Sequence, residues 1–231
     1  MNIIVTGCSS GIGKELVFNL CSKKHKVVGI ARNEAKLAEI EKEIGTEYFK
    51  AVPFDITQIK NSETEFKNSV LSFLPTIDII INNAGYLAKN SFETTNTNDI
   101  MAMFQVNVFA PAEIIKVFFP YLNKTKSHVV NIGSMAGFQG SSKFPGISWY
   151  SSSKAAIAAL TECLAVELKE KNVFVNCLAL GSVQTEMLNK AFPGLKAPLL
   201  PAQMAEFIAD FAISGSNVFN GKVLPVALSN P

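Results

Sequence analysis

The chain has 231 residues, 48% apolar and 17% charged, which suits one large or two small domains with a sizeable core and excludes a disordered chain. Its 21 Lys and Arg nearly balance 19 Asp and Glu; the net charge of +2 leaves no basic field for nucleic acid and no acidic tail. Cys8, Cys21, Cys163 and Cys177 lack paired spacing, which argues against a disulfide framework or a metal site and for a reducing, cytoplasmic setting.

Asn2–Thr6 reads as a buried strand running straight into a glycine turn, so a secretory leader is not expected. Residues 11–24 are amphipathic, with Ile12, Leu16, Val17 and Leu20 on one face. A strand over 27–31 follows, then a charged helix, Glu34–Ile44, with Leu37, Ile40 and Ile44 inward. Residues 48–52 form a third strand and 59–73 a polar-faced helix. Residues 77–81 are uniformly apolar, as a strand covered on both faces should be. Residues 98–122 are helical; Gln105, Asn107, Glu113 and Lys116, with Pro111 and Pro120, argue against a membrane span there. A strand at 128–132 leads to Ser134, and an Ala-rich helix covers 151–171. Val173–Leu180 is a strand, Pro201–Ser214 a helix and 222–226 the last strand.

Strand and helix alternate about seven times with no linker or low-complexity block. That pattern predicts one domain over 1–231: an α/β fold with a doubly wound, parallel, seven-stranded sheet between two helical layers. Ligands in such a fold sit beyond the carboxyl ends of the strands, where strand order reverses.

The first strand ends in Thr6-Gly7-Cys8-Ser9-Ser10-Gly11-Ile12-Gly13. Glycines there permit a tight turn and close approach of backbone to a pyrophosphate facing the next helix. The Gly-x3-Gly-x-Gly spacing is looser than the usual dinucleotide pattern, and a glycine turn without a ligand is the alternative. A P-loop is excluded, because Lys14 is followed by Glu15.

Tyr150 and Lys154 lie one helical turn apart and share a helix face. A neighbouring ammonium is expected to lower the phenol pKa and make Tyr150 an acid or base at neutral pH. Ser134, at a strand's carboxyl end, is placed to hold a carbonyl or alcohol oxygen. Taken alone, such a Tyr-x3-Lys pair is more often a pair of surface neighbours. The tip of the second strand carries Ala31 where NAD binding calls for an acid, and Arg32 follows, suited to a 2′-phosphate. This predicts NADP(H) over NAD(H), with NAD(H) still possible, and leaves Asp55 to the adenine.

Together these motifs resemble the short-chain dehydrogenase/reductases, from Asn2 to Val226. The glycine turn looks like that family's cofactor turn, Asn82-Asn83-Ala84-Gly85 matches its Asn-Asn-Ala-Gly segment, and Asn107, Ser134, Tyr150 and Lys154 fall on its four catalytic positions. The resemblance implies a Rossmann fold and hydride transfer between a nicotinamide and a carbonyl or carbinol carbon. It gives Tyr150 the proton on oxygen, Lys154 the tuning of Tyr150 and the cofactor ribose, Ser134 the substrate oxygen, and Asn107 a helix kink and a relay water. It places the cofactor against Gly7, Ser9, Ser10, Gly11, Ile12 and Gly13, against Arg32, Asp55 and Ile56, against Asn83, Ala84 and Gly85, and against Gly181, Val183 and Thr185.

The chain departs from the family in three places. Leu180-Gly181 stands where Pro-Gly is usual, the loop from Ser134 to Tyr150 is longer, and the C-terminal segment lacks Asp-Gly-Gly. The apolar stretch at about 182–201 is expected to be a mobile lid over a hydrophobic pocket. A homodimer through the helices at 98–122 and 151–171, or a homotetramer, is expected. His25 and His128 have no partners at ligand spacing and are assigned to structure. The leading function is an oxidoreductase acting on a small or medium apolar carbonyl or secondary alcohol. The alternatives are a non-catalytic NADP-binding sensor, which has no need of all four catalytic positions, and a nucleotide-sugar epimerase or dehydratase, for which the chain is short.

Overall fold

The apolar runs pair side by side into one parallel sheet. The computed structural model describes residues 1–228. Its strands are β1 (Asn2–Thr6), β2 (Lys26–Ala31), β3 (Phe49–Pro53), β4 (Ile79–Asn82), β5 (Ser127–Ser134), β6 (Val173–Leu180) and β7 (Val223–Val226), in the order β3-β2-β1-β4-β5-β6-β7. The helices are α1 (Gly11–Ser22), α2 (Glu34–Ile44), α3 (Glu63–Leu71), α4 (Thr97–Phe104), α5 (Ala110–Phe118), α6 (Ser148–Glu167), α7 (Glu186–Ala191) and α8 (Pro201–Ser214).

Strand residues alternate between two cores. Ile3, Val5, Ile79 and Ile81 pack with Leu16, Leu20, Leu37 and Ile208 from α1, α2 and α8. Ile4, Val28, Ile80 and Val129 pack with Phe66, Ile114, Phe118 and Ala165 from α3, α5 and α6. Both faces of the strands are therefore dry, which explains their lack of polar alternation. The order reverses between β1 and β4, so Thr6 and Asn82 end at the switch point where a ligand belongs.

Two helices differ from expectation. The polar stretch at 59–73 divides into a 3-10 turn, Ile56–Asn61, and α3. Asp55 starts the turn early, its carboxylate accepting from the Thr57 amide at 3.0 Å. The stretch at 98–122 is α4, a π-helical segment Gln105–Phe109, α5 and a 3-10 turn Phe119–Tyr121. Pro111 lacks the N–H that would bond the Asn107 carbonyl in an α-helix, and the wider turn accommodates the proline ring. The run Thr97–Tyr121 is long and apolar enough to cross a membrane by length and composition alone, although Gln105, Asn107, Glu113 and Lys116 interrupt it. It lies on the sheet, burying Met103, Ile114, Ile115 and Phe118.

His128 is buried in β5, with Nδ1 2.9 Å from the Ala212 carbonyl and Nε2 3.0 Å from Nδ2 of Asn176. Nδ1 therefore donates and Nε2 accepts, fixing one neutral tautomer. His25 lies at the surface beside the Met1 amino group. Both are structural, as expected. Of the C-terminal segment, residues 229–231 lie outside the described residues.

Candidate active site

The glycine turn is forced by contact as well as by conformation. Gly7 has φ +70° and Gly11 φ +55°, where a side chain is strained. A Cβ on Gly7 would lie 2.7 Å from Cα of Ala84, and one on Gly13 would lie 2.2 Å from the Gly7 carbonyl oxygen. Asn83 locks this arrangement, its Nδ2 donating to the carbonyls of Thr6 at 2.9 Å and Gly7 at 3.2 Å. The Ala84 amide donates to the Thr6 hydroxyl at 3.0 Å. The turn after β1 is thus fastened to the turn after β4. Ser10 precedes α1 without spending its side chain on a cap, and the first amides of α1 are left toward the cleft.

A cleft of about 1140 Å³ runs along the carboxyl ends of the strands. Its near end is lined by Gly7, Ser9, Ser10, Gly11, Ile12, Gly13, Arg32, Asp55 and Ile56, and its centre by Asn83, Ala84, Gly85, Gly181, Val183 and Thr185. Ser134, Tyr150 and Lys154 line the far half. Arg32 is exposed at the mouth, while Asp55 is engaged with Thr57. The bend at Leu180-Gly181 holds without proline: the Gly181 amide donates to the Val226 carbonyl at 2.9 Å, and a Cβ there would come 2.6 Å from Cβ of Ala227.

Asn107 stands behind the cleft wall, 1% exposed. Its Oδ1 accepts from the Tyr86 amide at 2.9 Å, and its Nδ2 donates to the Tyr86 carbonyl and the Ser153 hydroxyl, both at 2.9 Å. Ser153 donates in turn to the Tyr150 carbonyl at 2.7 Å. Both amide hydrogens of Asn107 are therefore used by protein. This side chain ties the β4–α4 segment, the π-helical kink and the catalytic turn of α6 together. Sequence reading missed Tyr86 and Ser153 as its partners.

Lys154 is 5% exposed, and its ammonium donates to the Ile132 carbonyl at 2.7 Å. Two of its three N–H donors remain toward the cleft. Desolvation lowers its pKa to about 8, partly offset by Cys177. The expected lowering of the Tyr150 pKa is not what the geometry gives. Burial of the phenol is the larger effect and raises its pKa, with hydrogen bonding from Ser134 working the other way. Tyr150 therefore rests as the neutral phenol at pH 7. Ser134 accepts from the Ala136 amide at 3.1 Å, which leaves its own proton to donate to Tyr150 or to an oxygen bound beside it.

The far half of the cleft is apolar. Leu87, Met101, Met135, Phe144 and Ile147 form its walls, and Met187, Leu188, Phe192 and Leu195 its roof. The wall residues went unnoticed in the sequence; they come from the segment after β4, from α4 and from the loop between β5 and α6, and Met101 and Phe144 are partly exposed at the cleft. The roof contains a helix, α7, that was not expected. Thr185 caps it, accepting from the Leu188 amide at 3.2 Å. The base of the roof is fastened by the Gln184 amide to the Leu199 carbonyl at 2.9 Å and by the Ala197 amide to the Gln184 side chain at 2.7 Å.

The short chain dehydrogenase family profile matches residues 1–196. An uncharacterized oxidoreductase of Staphylococcus saprophyticus is 32% identical over 206 residues, covering 88% of this chain and 87% of its own. Mouse L-fucose dehydrogenase is 30% identical over 186 residues, 80% of this chain and 66% of that protein. Among solved structures, a 3-ketoacyl-(acyl-carrier-protein) reductase from Brucella melitensis complexed with NADH superposes with a TM-score of 0.87 at 23% identity, covering 97% of this chain and 96% of that one. A Caenorhabditis elegans short-chain dehydrogenase/reductase with cofactor gives a TM-score of 0.85, also at 23% identity, covering 97% and 93%. These last two share the fold.

Proposed function

Because this chain belongs to the short-chain dehydrogenase/reductase family of oxidoreductases, we propose that it moves a hydride between NADP(H) and a small or medium apolar carbonyl compound or secondary alcohol. The observation that carries this reading is the convergence of Ser134, Tyr150 and Lys154 on one cleft whose far half is walled by aliphatic and aromatic side chains.

The residues present fit a nicotinamide dinucleotide. The left-handed Gly7 and Gly11, the contact-bound Gly13 and the uncapped start of α1 make a cradle for a pyrophosphate. Arg32 offers a planar cation at the mouth for a 2′-phosphate. Lys154 has donors to spare for a ribose hydroxyl. When bound, the cofactor supplies or accepts the hydride.

The chain's own residues handle the oxygen. Ser134 donates to it and fixes its position. In the reducing direction Tyr150, resting as the neutral phenol, gives it a proton, and in the oxidising direction it takes the proton back. Asn107 keeps α6 in register with the β4–α4 segment, which holds Tyr150 in place. The apolar walls exclude water and favour a substrate with hydrocarbon flanks over a polyol. A screen of ketones, aldehydes and secondary alcohols, followed by absorbance of the reduced cofactor, tests the reading; turnover of sugars alone would overturn it.

Exposed Phe109 on the π-helical segment and Val166 on α6 support the reading of a homodimer through these helices, testable by sedimentation. The four free thiols support a cytoplasmic location.

A further inference from the structure

The lid is held on its outer side. Just beyond α7, Phe192 presents its ring to Nζ of Lys89, which sits 4.1 Å from the ring centroid. Lys89 comes from the opposite wall, the segment between β4 and α4. Its stem crosses Gly146, where a Cβ would lie 3.2 Å from Cγ of Lys89. Gly146 has φ +82°, and its carbonyl accepts from the Asn90 amide at 3.0 Å. Three walls of the apolar half therefore meet at one lysine side chain: the β4–α4 segment that carries it, the long loop before α6 along its stem, and the lid at its ammonium. The base of the lid is fastened by the Gln184 and Ala197 hydrogen bonds described above, and the start of α7 adds the exposed pair Lys36–Glu186 at 3.7 Å, a contact of the kind that contributes little.

We propose that Lys89 is a positioning residue that holds the lid over the apolar half of the cleft through its contact with Phe192. It reaches no reacting atom. It acts by fixing the residue through which Met187, Leu188 and Leu195 are kept against the substrate. Gly146 belongs to the same device, because its φ of +82° favours glycine and a Cβ there would crowd the lysine stem. The consequence for turnover rests on the oxidoreductase reading above; the lid contact itself can be measured without turnover.

The test uses trypsin, because Lys190 and Lys196 lie exposed in the lid. Lys89→Met keeps the length of the stem and removes the charge; Lys89→Arg keeps a cation over the ring. An exposed cation–π contact shifts an opening equilibrium about two- to five-fold. Initial cleavage after Lys190 and Lys196 should rise by that factor in Lys89→Met, with cleavage elsewhere unchanged, and Lys89→Arg should stay near wild type. On whichever carbonyl compound is turned over, Lys89→Met should raise KM by a similar factor and leave kcat and NADPH affinity alone. Unchanged lid cleavage in Lys89→Met, or Lys89→Arg cleaved as fast as Lys89→Met, would overturn the proposal. Faster lid cleavage in an enzyme that reduces no carbonyl compound would sustain the lid contact while removing the functional reading.

Discussion

The Lys154 ammonium donates to the Ile132 carbonyl at 2.7 Å and lies 5.9 Å from the centre of the Tyr150 ring. The two side chains share a helix face without a direct bond. The lysine is tied to the end of β5, near Ser134, and its side chain lines the cleft. Its first task is therefore to join α6 to the sheet and present a charge to the cleft. Its effect on the phenol acts through space against the larger effect of burial.

Tyr150→Phe should keep the fold and bind NADPH with near wild-type affinity while losing turnover. The ring continues to fill its site, but no proton can be given to the substrate oxygen. Positioned proton transfer contributes about 10²–10⁴-fold. Steady-state rates beside a fluorescence titration of NADPH check this, and more than about a tenth of the wild-type kcat remaining would remove Tyr150 from the proposed role.

Lys154→Ala should weaken cofactor binding and slow turnover together. The wild-type lysine has its pKa lowered to about 8 by burial, so the free enzyme loses this charge as pH rises through that value. Cofactor affinity should therefore fall above about pH 8, and the alanine variant should lack that limb. A limb of equal size in both proteins would assign it to another group.

His128 makes a separate prediction about stability. Burial lowers its pKa from 6.5 to about 4, since the folded site accepts only the neutral ring. The folded pKa is below the unfolded one, so the contribution is complete above about pH 6.5 and is lost as pH falls toward 4. Wild type should lose roughly 1.5–2 kcal/mol from this residue between pH 7 and pH 5. Urea unfolding of His128→Gln at both pH values should show a smaller loss by that amount; equal losses would mean that the ring is charged in the fold.

Much of this was legible in the sequence because it is written in local spacing. The uniformly apolar runs identify strands covered on both faces, and Tyr150 with Lys154 one turn apart identifies a shared helix face. The Gly-x3-Gly-x-Gly turn names the place of closest backbone approach. What was not legible depends on contacts between distant segments. Asn107 finds its partners in Tyr86 and Ser153, 21 and 46 residues away. The π-helical segment has no periodicity of its own, so Pro111, and Asn107 through the family resemblance, are what hint at it. The phenol's raised pKa comes from burial of Tyr150 in the folded cleft, which no spacing encodes. Helix α7 is one and a half turns long, too short for its periodicity to stand out from a loop.

The choice of cofactor is the sharpest remaining test of the site. β2 ends at Ala31, where a carboxylate would otherwise accept the ribose 2′-hydroxyl and repel a phosphate. Arg32 follows, exposed and lining the mouth of the cleft. Asn33 beside it is spent on capping α2, accepting from the Lys36 amide at 3.0 Å, and Asp55 is spent on Thr57. The guanidinium is thus the side chain at this corner available for a phosphate. A charge-assisted contact contributes about 1.5–3 kcal/mol, or roughly 10–100-fold in affinity. NADPH should therefore be preferred over NADH by at least about tenfold in kcat/KM. Arg32→Ala should lose most of that preference by weakening NADPH and leaving NADH nearly unchanged. Raising the salt concentration should erode the preference in wild type and not in the variant, because the contact is exposed. Equal kcat/KM for the two cofactors in wild type, or a preference that survives in Arg32→Ala, would show that the arginine does not read the 2′-phosphate.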